Sequence, residues 1–172
     1  LNPSETVTLG TAESRSLVLI DGSASMTLGS PTRWQEASAW TSAYSGSLTQ
    51  LGLPAPELQV FGTKTQPVSP DALAAFNPAA TGTLLAGALE SVLQGGRIPD
   101  HVLVVSDGGV HDRQRLTGTL AALRMAGVAL SAHAVGNDAP PRNMALTSVL
   151  APRMARPKSR VVMPVEIEAA GI

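Results

Sequence analysis

Two short stretches of this sequence place carboxylates and hydroxyls directly after apolar runs. "LVLIDGSAS" brings Asp21, Ser23 and Ser25 to the end of one run, and "HVLVVSDGG" brings Asp107 to the end of another. Two acids with neutral hydroxyls are hard oxygen donors, the kind of ligand that Mg²⁺ or Mn²⁺ takes in proteins. Because these turns cannot fill an octahedral set of ligands, at least one position would stay open to an anionic oxygen. The residue types therefore predict a divalent-cation site with a vacant position.

Strand and helix patterns alternate around these stretches. "SLVLID" and "HVLVVS" are apolar on both faces, as the central strands of a parallel sheet are. Residues 31–52 and 112–127 repeat apolar side chains at helical spacing, and we expect Leu51, Leu120 and Met125 among those that face the core. The fold class predicted is α/β: a doubly wound, Rossmann-like, mostly parallel sheet with helices on both faces.

The same pattern predicts where the candidate ligands meet. Residues 64–68 are expected to form an antiparallel edge strand, because Pro67 cannot donate a hydrogen bond to a central one. In an open parallel sheet, ligands bind outside the carboxyl ends of the strands, where the turns after both apolar runs converge. The loop "ATGT" precedes a predicted helix at this same edge and adds Thr83, or alternatively Thr81, to the group.

Composition limits the class of protein. With 172 residues, 44% of them hydrophobic and 15% charged, the chain is long enough for one globular domain and the start of another. A formal charge of −1 offers no basic face for nucleic acid. No apolar run approaches the roughly 20 residues of a membrane span, so direct membrane insertion is not expected. No cysteine is present for a disulfide or a thiolate site.

The patterns divide the chain into three parts. Residues 1–15 are polar and are predicted to be an N-terminal extension, and residues 16–143 are predicted to be the α/β domain. Residues 144–172 contain two strand-like runs, and no helix pattern follows the second of them. We expect this last part to hold the final strand of the domain and the start of a β-rich neighbour that the chain truncates, so that the chain is a fragment of a longer protein.

The order of these residues resembles the von Willebrand factor A (vWA) domain and its metal-ion-dependent adhesion site (MIDAS). That family's motif is D-x-S-x-S, then a threonine, then an aspartate. The threonine is followed after about six residues by a helix leucine, and "TLLAGAL" reproduces this from Thr83. The residues that match the motif in order are Asp21, Ser23, Ser25, Thr83 and Asp107.

The resemblance implies a function as well as a fold. It implies that the serines and the threonine ligate Mg²⁺ or Mn²⁺, that the aspartates act through water or balance the charge, and that an Asp or Glu of a protein partner completes the site. The implied function is metal-dependent protein–protein interaction, in adhesion or scaffolding, with no catalysis. Bacterial membrane-anchored proteins often place such a domain before a β-rich segment, which is similar to the arrangement of residues 144–172.

Two alternatives stay open. "VSDGGVH" also resembles a metal-binding stretch of cofactor-independent phosphoglycerate mutases, and an aspartate after the first strand is found in haloacid-dehalogenase-type phosphatases, so a metal-dependent phosphotransferase or phosphatase is one alternative. The second alternative is a scaffold domain that uses no metal. Outside the motif, His111 is expected to be a solvated residue at the start of a helix, and Asp112 an N-cap or first-turn acid.

Overall fold

The computed structural model of the protein describes residues 14–136, 143–149 and 163–170. The described residues fall into two compact units, divided between Gly136 and Asn137. The elements of the first unit are β1 (Ser16–Asp21), a 3₁₀ turn (Ala24–Thr27), α1 (Arg33–Gln50), β2 (Glu57–Phe61), β3 (Thr65–Pro67), α2 (Pro70–Leu73), α3 (Leu85–Gln94), β4 (His101–Ser106), α4 (Arg113–Met125) and β5 (Ala129–Ala134).

Five strands of the first unit form one sheet in the order β3-β2-β1-β4-β5. β1 pairs in parallel with β2 on one side and with β4 on the other, and β5 extends the parallel part. β3 pairs antiparallel to β2, with Pro67 opposite Gln59 at the outer edge. The predicted doubly wound α/β sheet with its antiparallel edge strand is therefore confirmed.

The hydrophobic core lies on both faces of this sheet. Along β1, Val18 and Ile20 belong to a cluster with Trp34 and Ala37 of α1, whereas Leu17 and Leu19 belong to the opposite cluster. That second cluster is completed by apolar side chains of α3 and α4, namely Ala88, Leu89, Val92 and Leu123. Burial on both faces explains why β1 and β4 are continuous apolar runs, since side chains alternate between the faces of a strand.

Three residues predicted to face the core are exposed, two of them at helix ends. Leu51 is 64% exposed because it caps the end of α1, where the helical spacing no longer applies. Met125, the last residue of α4, is 90% exposed, and Leu120 is 38% exposed. Of the predicted apolar face of α4, Leu123 is the residue that is fully buried. Periodicity identified each helix but not the angle at which it meets the sheet.

The second unit contains a two-stranded antiparallel sheet. β6 (Asn143–Val149) pairs with β7 (Val165–Ala170), with a register shift between Leu146 and Ser148. We expected a last strand of the domain at this point, whereas β6 takes β7 as its partner in a separate sheet. The domain boundaries themselves stay predictions, and the extension at 1–15 lies mostly outside the described residues.

None of the helices in the described ranges combines the length and the apolar composition needed to span a bilayer.

Candidate metal site

The loop after β1 is built around Asp21, the last residue of that strand. Its side chain is fully buried and both of its carboxylate oxygens accept hydrogen bonds. Oδ1 accepts from the backbone N–H of Ser23 at 2.9 Å, and Oδ2 accepts from the hydroxyl of Ser106 at 2.7 Å. Because Ser106 is the last residue of β4, Asp21 joins the ends of two neighbouring central strands.

The two serines of the loop face each other. The hydroxyl oxygens of Ser23 and Ser25 are 3.0 Å apart. Backbone hydrogen bonds hold this loop against residue 80, because Ala24 N–H donates to the Ala80 carbonyl at 2.9 Å and Ala80 N–H donates to the Gly22 carbonyl at 3.1 Å. The loop that carries the serines and the loop that carries the threonines are therefore one hydrogen-bonded assembly.

Of the two candidate threonines, Thr83 is 2% exposed and Thr81 is exposed. The backbone of Thr83 is held by His111 in two places. Its N–H donates to Nδ1 of the imidazole at 3.0 Å, and its carbonyl accepts the backbone N–H of His111 at 3.0 Å. Its hydroxyl makes no hydrogen bond with the described residues, so this oxygen is free to bind a ligand.

Asp107 follows β4 and is paired with a cation of the protein. Its Oδ1 accepts the N–H of Gly109 at 3.2 Å, and its Oδ2 accepts Nη1 of Arg33 at 2.6 Å. The same Nη1 lies 3.4 Å from the carbonyl oxygen of Ser25. The guanidinium therefore stands at the edge of the candidate site, beside one of its two acids.

These residues surround one open cavity of about 350 Å³ at the carboxyl edge of the sheet. Four of the five predicted ligands line it, and Asp21 lies behind Ser23 and does not. The complete lining is Ser23, Ala24, Ser25, Ala80, Thr81, Gly82, Thr83, Asp107, Gly109 and His111. The structure thus brings the five residues together, with both candidate threonines at the same cavity.

Burial raises the pKa of Asp21 above its ordinary value. Hydrogen bonds from Ser23 and Ser106 oppose this rise, and the negative charge of Asp107 adds to it. The protein environment alone therefore disfavours the ionised carboxylate, whereas a bound cation would favour it.

The donor set fits a hard divalent cation. Among the residues that the structure describes, no three His, Cys, Asp or Glu side chains cluster as metal ligands, so a site here must rely on hydroxyl oxygens. Ser23, Ser25 and Thr83 supply such oxygens around one cavity, and Asp107 supplies a carboxylate. Oxygen-only donors with few charges suit Mg²⁺ or Mn²⁺ better than a softer metal.

Sequence reasoning missed the supporting partners of the site. Arg33 was counted as part of a helix and Ser106 as the end of a strand, because their contacts with Asp107 and Asp21 span 74 and 85 residues. His111 is exposed and lies two residues before α4, near the helix start as expected, but it also binds the Thr83 backbone. The position of His111, four residues after Asp107, was the feature of the sequence that could have indicated a place near the site.

The prediction that Asp112 is the N-cap residue of α4 is confirmed in position, although its side chain does not cap the helix. Asp112 occupies the N-cap position of α4, but its side chain makes no capping hydrogen bond there. Its Oδ2 instead accepts the N–H of Gly87 in α3 at 3.0 Å. The carboxylate therefore joins α4 to α3, the helix that begins directly after the Thr83 loop.

Comparison with known proteins rests on structure. No protein-family model and no curated protein sequence matches the chain. Manganese-loaded TRAP protein of Plasmodium vivax matches with a TM-score of 0.55 and 19% identity, over 73% of this chain and 59% of that one. Proximal thread matrix protein 1 from the mussel byssus matches with a TM-score of 0.55 and 15% identity, over 72% of this chain and 37% of that one.

A third structure, the RO (RSR) protein of Deinococcus radiodurans, matches with a TM-score of 0.50 and 21% identity, over 72% of this chain and 28% of that one. The chain thus spans less than two thirds of each of these three proteins. At these identities the likeness establishes the fold, which is the α/β fold of the vWA type. The fold predicted from the sequence motif is the one the structure has.

Proposed function

We propose that this domain binds a protein partner through a divalent cation held at the carboxyl edge of its sheet. The observation that carries the proposal is the cavity lined by four hydroxyl residues, among them Ser23, Ser25 and Thr83, and one carboxylate, with Asp21 buried behind it. The manganese-loaded state of the Plasmodium vivax TRAP protein supports a divalent cation on this fold. The vWA resemblance of the motif supports a role in adhesion or scaffolding, without catalysis.

Each residue has a separate task in this proposal. Ser23, Ser25 and Thr83 would bind Mg²⁺ or Mn²⁺ through their hydroxyl oxygens, and Asp21 and Asp107 would balance its charge. When bound, the ion supplies an open coordination position for an anionic oxygen. An Asp or Glu carboxylate of the partner would take that position. A setting in a membrane-anchored bacterial protein remains a prediction of the sequence.

The test is thermal unfolding of the chain with Mn²⁺, with Mg²⁺ and with a chelator. An ion at a hundred times its Kd stabilises the folded state by about 2.7 kcal/mol, which raises the midpoint of a chain of this size by about 5–10 °C. Thr83→Val keeps the volume of the side chain and removes the hydroxyl, so we expect it to lose most of this increase. Thr81→Val is the matched control and should keep it.

Two other results would change the conclusion. If no ion changes the unfolding midpoint of the wild-type chain, the metal proposal fails and the metal-free scaffold is favoured. The ion pair between Arg33 and Asp107 is compatible with that scaffold, because Asp107 then has a cationic partner within the protein. If the chain releases phosphate from para-nitrophenyl phosphate, and Asp21→Ala abolishes that release, the phosphatase alternative replaces the binding module. If Thr81→Val rather than Thr83→Val loses the increase, the ligand has been assigned to the wrong threonine.

His111 is predicted to act on the site through the Thr83 backbone. His111→Ala removes the acceptor of the Thr83 N–H, and we expect the affinity for Mn²⁺ to fall about tenfold, as is typical when a residue that supports a metal ligand is lost. His111→Asn places an amide oxygen near the position of Nδ1 and should keep the affinity within about threefold. Titration followed by the electron paramagnetic resonance (EPR) signal of free Mn²⁺ measures both. Equal affinities for the wild type and His111→Ala would contradict the role.

A further inference from the structure

The ion pair at the edge of the site is shielded from water. The Asp107 side chain is 6% exposed and the Arg33 side chain 21%, and Nη1 and Oδ2 are 2.6 Å apart. In each of the other two ion pairs of the described residues, Arg15–Glu57 and Arg115–Glu90, one partner is 58% exposed. A pair so little exposed interacts strongly with a charge that enters its surroundings, because less water screens it.

The guanidinium is held in place from the end of β5. Gly136 has a φ of +100°, and a Cβ atom built there would come within 2.9 Å of Nε of Arg33. The N–H of Gly136 donates to Oε2 of Glu36 at 3.0 Å, which ties this backbone to α1. Only a glycine allows both the conformation and the close approach, so the backbone of residue 136 forms one wall of the Arg33 position.

Helix stability does not explain an arginine at this position. Arg33 is the first residue of α1, where the helix dipole favours acids and disfavours cations. The start of the helix is already capped, because the Thr32 side chain and the Gln35 side chain form a reciprocal capping box. The charge of Arg33 is therefore directed at Asp107 rather than at its own helix.

Arg33 makes the net charge around the cavity less negative than the charge of the motif residues alone. Asp21 and Asp107 carry one negative charge each, and Arg33 cancels one of them. A divalent cation would then leave an excess of one positive charge, which opposes the cation by itself and attracts an anionic ligand.

Resting on the proposed function, we infer that Arg33 shifts this site from the bare ion toward the ion with a bound carboxylate. Its positive charge weakens binding of the ion and strengthens binding of the carboxylate. The attraction between the ion and the carboxylate is reciprocal and raises the affinity of each whether or not residue 33 is charged, so Arg33 changes the two single affinities.

The experiment measures the affinity for Mn²⁺ by EPR at constant ionic strength, with acetate and with acetamide as its uncharged counterpart. Arg33→Gln removes the charge and keeps a group that can donate to Asp107, and Arg33→Lys keeps the charge. Arg115→Gln removes the same charge from the more exposed pair between α4 and α3 and serves as the control. Circular dichroism establishes that each variant is folded.

We expect Arg33→Gln to bind Mn²⁺ about tenfold more tightly than the wild type without acetate, and to require a severalfold higher acetate concentration for the further increase in affinity. Arg33→Lys and Arg115→Gln should behave like the wild type. If Arg33→Gln binds Mn²⁺ no more tightly, or responds to acetate at the same concentration as the wild type, the role of Arg33 is overturned while the metal site stands. If neither the wild type nor Arg33→Gln binds Mn²⁺ under any condition, the proposed function itself fails.

Discussion

Asp21→Asn is expected to abolish the stabilisation of the protein by Mn²⁺ without lowering its stability in chelator. The carboxylate is buried, and burial raises its pKa, so the metal-free fold is less favourable to the ionised form of this group than water is. Asparagine is neutral and nearly the same shape, and its amide oxygen can still accept the N–H of Ser23. We expect the metal-free free energy of unfolding to rise, or to fall by no more than about 0.5 kcal/mol.

The pH dependence gives the same prediction a second readout. An acid whose folded pKa is raised contributes stability below its unfolded value of 3.8, and that contribution is lost as the pH rises through the higher folded pKa. The metal-free wild type should therefore lose this contribution over that interval, and Asp21→Asn should not. Urea unfolding in chelator across this pH interval measures the pH dependence of the metal-free protein. Urea unfolding at pH 7 with and without Mn²⁺ measures the stabilisation by the ion.

The exposed acid of α2 provides the control for this variant. Asp71→Asn removes the same charge away from the site and should keep the Mn²⁺ effect. If Asp21→Asn retains the full stabilisation by Mn²⁺, the ion does not depend on this carboxylate. If the variant is less stable by several kcal/mol in chelator, the buried charge is instead needed for the fold.

Gly62→Ala is expected to destabilise the domain by about 1–3 kcal/mol, the usual effect of forcing an extra carbon into a packed interior. The new Cβ would lie 2.4 Å from the Cβ of Ala80, so the backbone at residue 80 must shift. That backbone holds the loop after β1 through its bonds to Gly22 and Ala24. We therefore expect weaker Mn²⁺ binding together with the loss of stability, measured by urea unfolding and by Mn²⁺ titration.

The neighbouring Gly82 offers a matched control for this substitution. A Cβ at Gly82 would meet its nearest atom, Cγ2 of Thr63, at 3.7 Å, which is an ordinary contact. Gly82→Ala should change the free energy of unfolding by no more than about 0.5 kcal/mol. Equal effects of the two substitutions would show that general stiffening of the loop, and not the approach to Ala80, decides the result.

The architecture was predictable because its signals are local. Continuous apolar runs identified β1 and β4, and Pro67 identified the edge strand, since each reflects how many faces of a strand are buried. Side-chain exposure at the helix ends was not predictable. Leu51 and Met125 continue or end a helical pattern, and only the packing of the finished fold leaves them in water.

The sequence was enough to predict which motif residues of the candidate site lie near one another. It was not enough to predict which other charged residues lie beside them. The shared edge of a parallel sheet was enough to bring Asp21 near Asp107. The Arg33 guanidinium beside Asp107 could not be expected, because nothing in the spacing of α1 says which of its polar residues faces the loops. The imidazole of His111 at Thr83 likewise depends on how α4 is placed against α3.

The contact between Gly136 and Arg33 also determines when, during synthesis of the chain, the candidate site can be completed. A nascent chain that has emerged only as far as α1 already carries Asp21, Ser23, Ser25 and Arg33, but not the acid that pairs with the arginine. The last contact of the site comes from residue 136, the final residue of the first unit. Completion of the candidate site therefore coincides with completion of the domain, so a chain interrupted during synthesis would lack the last contact of Arg33.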